Sequence, residues 1–296
     1  MLAMDQRLWL KQAVFGTTDL TGTQTHELVA IKELIVDGAI RAVSEHDVDP
    51  AAAAVLVDEE LGGESPGRIK GAGLRLSVAL EKSQPSVYEE EPRSVSGELL
   101  AAHRPHLPKV LVRYNPAAAD DLARKQLLDL KSTPDRVRQS GLPFLVEIIV
   151  PPTEAQLSEA GSTGRFDSEL LPGLTLTAID HIKETGARVD YWKLEGMPDA
   201  ERFAEVLRRC RAGVDHSVDA VVLGKNASQE TVARWLRDAA EAGFIGFAIG
   251  RSIWWDAVRE LRAERIDRDA ATGMIAQCYA DNCQIMADAL GRCTLQ

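Results

Sequence analysis

Aromatic residues make up 5% of this 296-residue sequence and cysteines number only four. No apolar run approaches the ~18–20 residues that a membrane-crossing helix needs, which excludes a helical membrane span. The four cysteines, Cys210, Cys278, Cys283 and Cys293, form no C-x-x-C pair. Three of them fall in a helical C-terminal stretch, so all read as small packed hydrophobes and no metal site is expected. Positive charge is also scarce: 34 Lys plus Arg against 45 Asp plus Glu leave a net charge of −11, which disfavours phosphate backbones and excludes nucleic acid as an expected partner. The first residues, MLAMDQRLWLKQ, lack the basic region, apolar core and small-residue cleavage site of a secretory signal, so a cytoplasmic location is expected.

What the sequence does have is alternation of short β-rich runs with longer helical periods, the pattern of parallel strands covered by helices. The expected strands are MLAM before Asp5, AVLVD at 54–58, LRLSVALE at 74–81, KVLVRY at 109–114, FLVEIIV at 144–150, DYWKLE at 190–195, DAVVLG at 219–224 and FIGFAIG at 244–250. Amphipathic stretches at 27–43, 119–139, 200–210 and 231–242 repeat apolar residues every three or four positions. The connections after the second and third strands are Gly- or Pro-rich, the latter spanning 84–104, so their helices should be short or absent. Two extra helices are expected at about 254–264 and 268–290. Eight strands with crossovers predict a (β/α)8 barrel over residues 1–296 rather than an open nucleotide-binding sheet, because no G-x-G-x-x-G follows an early strand. No cofactor is expected.

Barrel chemistry belongs at the C-terminal strand ends, and charged residues inside otherwise apolar strands are costly enough to be informative. Lys109, Glu147 and Lys193 are such residues. Strand parity puts Leu145, Glu147 and Ile149 on one face, and Tyr191, Lys193 and Glu195 likewise; if the inward face is the charged one, Glu147 and Lys193 project from neighbouring strands into one cavity. A lysine desolvated in an apolar barrel has its ammonium form disfavoured and can attack a carbonyl to form a Schiff base, with an adjacent carboxylate shuttling protons. A structural Lys–Glu ion pair that fixes barrel register accounts for the same positions. Gly224-Lys225 and Gly250-Arg251 end strands seven and eight, each just before a helix, where backbone amides and the helix dipole favour an anion such as phosphate. The 151–172 connection after strand five is long and mixed enough to be a lid, and a disordered surface loop explains its composition equally well. Gly63-Glu64-Ser65-Pro66-Gly67 lies in a polar loop rather than a nucleophile elbow, and His103 and His106 read as surface residues.

The segments LAMDQR, LVDEELGG, KVLVRYNP, LVEIIVP, DYWKLEG, VVLGKNA and GFAIGRSIWW together resemble the class I aldolases of the tagatose bisphosphate aldolase superfamily. They are most similar to the aldolase-like domain of bifunctional 5-dehydro-2-deoxygluconokinase proteins of inositol catabolism. Asp5-Gln6-Arg7 reads as in tagatose bisphosphate aldolases, where the kinase-linked domains tend to read DHR. The resemblance implies imine formation at Lys193, with Glu147, Lys109 and Asp5 lining the site. It matches Gln6 and Asp58 to first- and second-strand positions, and Gly250 with Arg251 to the phosphate loop; Gly224 and Lys225 join that loop, and Arg7, Lys109 and Arg113 are cations for the far end of the substrate, with Lys109 alternatively lowering the amine pKa of Lys193 by like-charge proximity. The implied substrate is 2-deoxy-5-keto-gluconate 6-phosphate, cleaved to dihydroxyacetone phosphate and malonate semialdehyde. Tagatose bisphosphate or sulfofructose phosphate would use the same imine. A catalytically silent sugar-phosphate-binding barrel is the reading from another class. A homo-oligomer and a separate sugar kinase are the expected partners beyond the sugar phosphate.

Overall fold

The computed structural model describes residues 1–83, 88–118 and 120–293. All eight expected runs become strands: β1 (Leu2–Ala3), β2 (Ala54–Val57), β3 (Arg75–Ala79), β4 (Leu107–Arg113), β5 (Leu145–Ile149), β6 (Tyr191–Leu194), β7 (Asp219–Leu223) and β8 (Gly246–Ala248). They pair in parallel in sequence order. The sheet closes where the Ala3 amide donates to the Ile249 carbonyl at 2.8 Å and the Ile249 amide donates to the Met1 carbonyl at 3.1 Å. The result is a (β/α)8 barrel.

The helices are α1 (Leu8–Phe15), α2 (Gly22–Glu45), α3 (Ser65–Gly71), α4 (Pro92–Val95), α5 (Glu98–His103), α6 (Asp121–Leu130), α7 (Ser132–Gln139), α8 (Glu154–Ala160), α9 (Thr163–Arg165), α10 (Leu171–Glu184), α11 (Ala200–Arg211), α12 (Gln229–Glu241), α13 (Arg251–Arg262) and α14 (Arg268–Cys293). Side chains that accept the orphan first-turn amides mark several starts. Thr21 and Thr153 form capping boxes with Gln24 and Gln156, while Asp120, Asp199 and Ser228 cap α6, α11 and α12.

One expectation changes. The single helix over 119–139 is two, α6 and α7, which meet at Lys131 with Pro134 in the first turn of α7; Ala119 lies outside the described residues. The 151–172 connection is helical: α8, α9 and a π-helical turn at Phe166–Leu170 lead into α10, with Ala160 and Phe166 buried. Both expected closing helices form, α13 directly after β8 and α14 beyond it. Residues 84–87 of the third connection lie outside the described residues, and the rest of it contains the short α4 and α5.

Outward strand residues such as Val110, Val112, Val146, Ile148, Trp192, Leu194 and Val222 are buried against the helices. Inside the barrel, Ala3, Leu56 and Ala79 form a small apolar layer. Helix α14 packs closely on α2, where a side chain at Gly38 would run into Ile275. Its Tyr279 hydroxyl donates to the Ala54 carbonyl. Cys210 is buried and desolvation pushes its thiol well up, as expected of a packed hydrophobe.

Candidate active site

Strand alternation does what parity predicts: Glu147 and Ile149 of β5, Lys193 of β6 with Glu195 just past it, and Leu111 and Arg113 of β4 all face one cavity at the C-terminal strand ends. That cavity has a volume of about 510 Å³. Asp5, Gln6, Arg7, Arg113, Glu147, Lys193, Gly224, Lys225, Gly250 and Arg251 line it; of the expected residues, Lys109 and Asp58 do not.

The interior is ionic rather than apolar. Lys109, fully buried, meets Asp5 Oδ2 at 2.6 Å, Glu147 Oε2 at 2.8 Å and Glu81 Oε1 at 2.9 Å. Burial works to lower the Lys109 pKa, but Asp5, Glu147 and Glu81 outweigh it and raise it far above the ordinary lysine value. Lys109 is therefore a fixed ammonium, unsuited to be a nucleophile. Lys193 differs in both respects that matter. It lines the cavity, and its Nζ has one carboxylate partner, Glu147 Oε1 at 2.9 Å. Glu147 thus bridges the two lysines with its two oxygens. Burial would raise the Asp5 pKa, yet the charges of Lys109 and Lys193 hold its carboxyl well below the usual range.

Several expected substrate contacts are already occupied. Asp58 turns to the buried Lys32 of α2 and accepts the Leu61 amide at 2.8 Å, so the expectation that it contacts substrate is corrected: it anchors α2 to the barrel wall. Arg7 is buried against the Glu81 carbonyl at 2.7 Å and Glu91 at 3.2 Å. Lys225 meets Asp167 at 2.7 Å and Glu195 at 2.9 Å, and these carboxylates outweigh burial to raise its pKa. Two cations remain. Arg113 from β4 and Arg251 at the start of α13, just past the opposite β8, have no carboxylate partner among the described residues, where the buried Arg113 Nε also has no hydrogen bond. Burial and the Arg113 charge both disfavour the Arg251 guanidinium, an arrangement that an anion between them relieves.

The strand-end glycines create room beside these arginines. A side chain at Gly250 would lie 2.4 Å from the Ala3 carbonyl oxygen, and one at Gly224 would lie 2.8 Å from Ile249. Ser252, in the first turn of α13, keeps a buried hydroxyl without a partner among the described residues. We expect Gly250→Ala to lower Tm and to weaken phosphate-bearing ligands. Gly246→Ala, whose added carbon meets Val221 only at 3.8 Å, should do neither; thermal melts with and without ligand compare the two.

Sequence reasoning missed Glu81, Trp9, Asp167 and Lys32. Glu81 closes the expected third strand, and a carboxylate at a barrel strand's C-terminal end was the available signal. Trp9 holds Arg251 by stacking, with the guanidinium carbon 4.7 Å from the ring centroid. Asp167 and Lys32 sit on helices far away in sequence and carried no local signal.

Among the described residues, no group of three or more His, Cys, Asp or Glu is arranged to hold a metal, and no helix is long and apolar enough to cross a membrane. Fold and cavity together define a (β/α)8 barrel with a lysine-centred ionic site. The family model for DUF2090, described as an uncharacterized protein conserved in bacteria, matches residues 1–289, and the chain belongs to that family. No curated protein matches it. Among solved structures it is similar to a fructose-bisphosphate aldolase from Plasmodium falciparum, solved with TRAP and an inhibitor, at 13% identity and TM-score 0.68 over 98% of this chain and 90% of the other. A fructose-bisphosphate aldolase from Slackia heliotrinireducens aligns at 12% identity and TM-score 0.57, covering 93% and 84%. An archaeal fructose 1,6-bisphosphate aldolase aligns at 13% and 0.55, covering 95% and 92%. At these identities the likeness is one of fold.

Proposed function

We propose that this protein is a Schiff-base aldolase of phosphorylated keto-sugars. The observation that carries the reading is Lys193: a cavity-lining amine on β6 paired with the single carboxylate of Glu147, while the neighbouring Lys109 is locked as a cation. Lys193 attacks the ketone, Glu147 moves protons during carbinolamine formation and loss of water, and the protonated imine accepts the electrons released by carbon–carbon cleavage. The fold shared with three fructose-bisphosphate aldolases is compatible with that chemistry.

For substrate we favour 2-deoxy-5-keto-gluconate 6-phosphate, giving dihydroxyacetone phosphate and malonate semialdehyde. It carries one phosphate and one carboxylate, and two arginines with no carboxylate partner among the described residues, Arg251 and Arg113, border the cavity. The Gly224 and Gly250 turns with the α13 N-terminus accommodate the phosphate. Lys225, held by Asp167 and Glu195, stands at the edge of this anion site, and Asp5 and Gln6 flank the imine. Side-by-side assays against tagatose bisphosphate and sulfofructose phosphate decide the substrate.

Incubation with dihydroxyacetone phosphate and borohydride should leave a reduced adduct that peptide mapping places on Lys193. No adduct, or one elsewhere, overturns the mechanism. A thermal shift with sugar phosphate but no adduct and no turnover would instead indicate a silent binding barrel. Arg251→Ala should raise KM by roughly 10–100-fold, the cost of one charge-assisted contact, with kcat within about threefold. A loss of kcat at constant KM would argue against anion anchoring.

A further inference from the structure

Retro-aldol cleavage needs two proton-transfer sites: one at the imine, and one at the hydroxyl one carbon beyond the scissile bond. Glu147 stands at the first. Asp58 is bound to Lys32, and Glu195 is engaged by Lys225 and the Val150 amide, so neither is free for the second. Asp5, held strongly ionised by Lys109, is a weak base.

Resting on the aldolase reading, we propose that Glu81 is the base for that hydroxyl. It follows β3, on the side of the cavity away from the β7 and β8 glycine turns, where the carbon chain beyond a phosphate-anchored ketone would lie. Its Oε1 is fixed by Lys109 at 2.9 Å, and its Oε2 is buried with no partner among the described residues. The groups facing it are Lys109 from β4, Arg7 from the start of α1, with Glu91 beyond it, and Asp5 after β1. Burial, only partly offset by Lys109 and Arg7, raises its pKa above the ordinary glutamate value, which strengthens it as a base. In the step itself, the Glu81 carboxylate takes the hydroxyl proton and the oxygen's electron pair forms the aldehyde carbonyl. The carbon–carbon bond breaks and its electrons pass into the protonated imine on Lys193, leaving an enamine. Glu81 returns the proton to water once the aldehyde has left.

Glu81→Gln keeps the acceptor for Lys109 but cannot take a proton. Cleavage of whichever sugar phosphate the wild type accepts should fall by about 10²–10³-fold. The borohydride adduct on Lys193 and solvent exchange of the dihydroxyacetone phosphate α-proton should stay within about threefold, because neither involves that hydroxyl. The acidic limb of the wild-type pH profile should vanish in the variant, and Glu81→Asp should recover at least about tenfold over Gln. Cleavage unchanged in Glu81→Gln, exchange falling in parallel with cleavage, or no recovery in Glu81→Asp overturns the assignment. A wild type that forms no adduct overturns the aldolase reading itself, whereas a normal adduct with unaffected Glu81→Gln cleavage overturns only this proposal.

Discussion

Replacing Lys193 with methionine is expected to abolish cleavage, with kcat falling by roughly 10⁴-fold or more, the order seen when a covalent nucleophile is deleted. The borohydride adduct should disappear with it. Methionine keeps most of the volume and the apolar stem, so the barrel should still form; the lost partner leaves Glu147 paired to Lys109 through its other oxygen. Lys193→Arg is the sharper control, because it preserves the charge and the pairing with Glu147 while guanidinium forms no imine. If arginine restores turnover, Lys193 acts as a charge and the covalent mechanism fails. Circular dichroism and Tm within a few degrees of wild type would confirm that the loss is chemical.

Lys109→Met should show the opposite profile, with stability lost along with activity. Removing this cation strands Asp5, Glu81 and Glu147 in a buried layer, and breaking a buried ionic cluster costs about 3–5 kcal/mol near pH 7, on the order of 5–10 °C in Tm. The pH dependence carries the sign. In the wild type the depressed Asp5 pKa stabilises the fold above the unfolded carboxyl value, about 3.9, and that contribution is lost as pH falls towards the folded value. The raised Lys109 pKa stabilises below about 10.4 and its contribution is lost as pH rises through the folded value. In Lys109→Met the orphaned carboxyls are relieved by taking up protons, so the deficit relative to wild type should shrink from pH 8 to pH 5. Denaturant melts across that range test it; a deficit independent of pH would mean that Lys109 contributes packing rather than charge.

The two lysines illustrate how far sequence can be read. Both stood out as charges inside apolar strands, and parity placed Lys193 beside Glu147. Which of them is reactive depends on partners that arrive from other strands. Asp5 lies 104 positions from Lys109 and Glu81 lies 28 positions away. The same holds for Lys225, which looked like a free cation in its loop until α9 and the turn after it brought Asp167 against it.

Strand number, barrel closure and the grouping of Glu147 with Ile149 and of Lys193 with Glu195 on shared faces were legible in the sequence alone, because each follows from local periodicity and short-range sterics that repeat every two or every 3.6 residues; that these charged faces point inward was decided by barrel closure. Asp58's turn towards Lys32, the folding of 151–172 into helices against the barrel, and the position of Arg113 and Arg251 as cavity cations with no carboxylate partner among the described residues were decided only by the tertiary structure. Charge pairing depends on distance in space, and closing the barrel brings together carboxylates and cations that no local pattern relates.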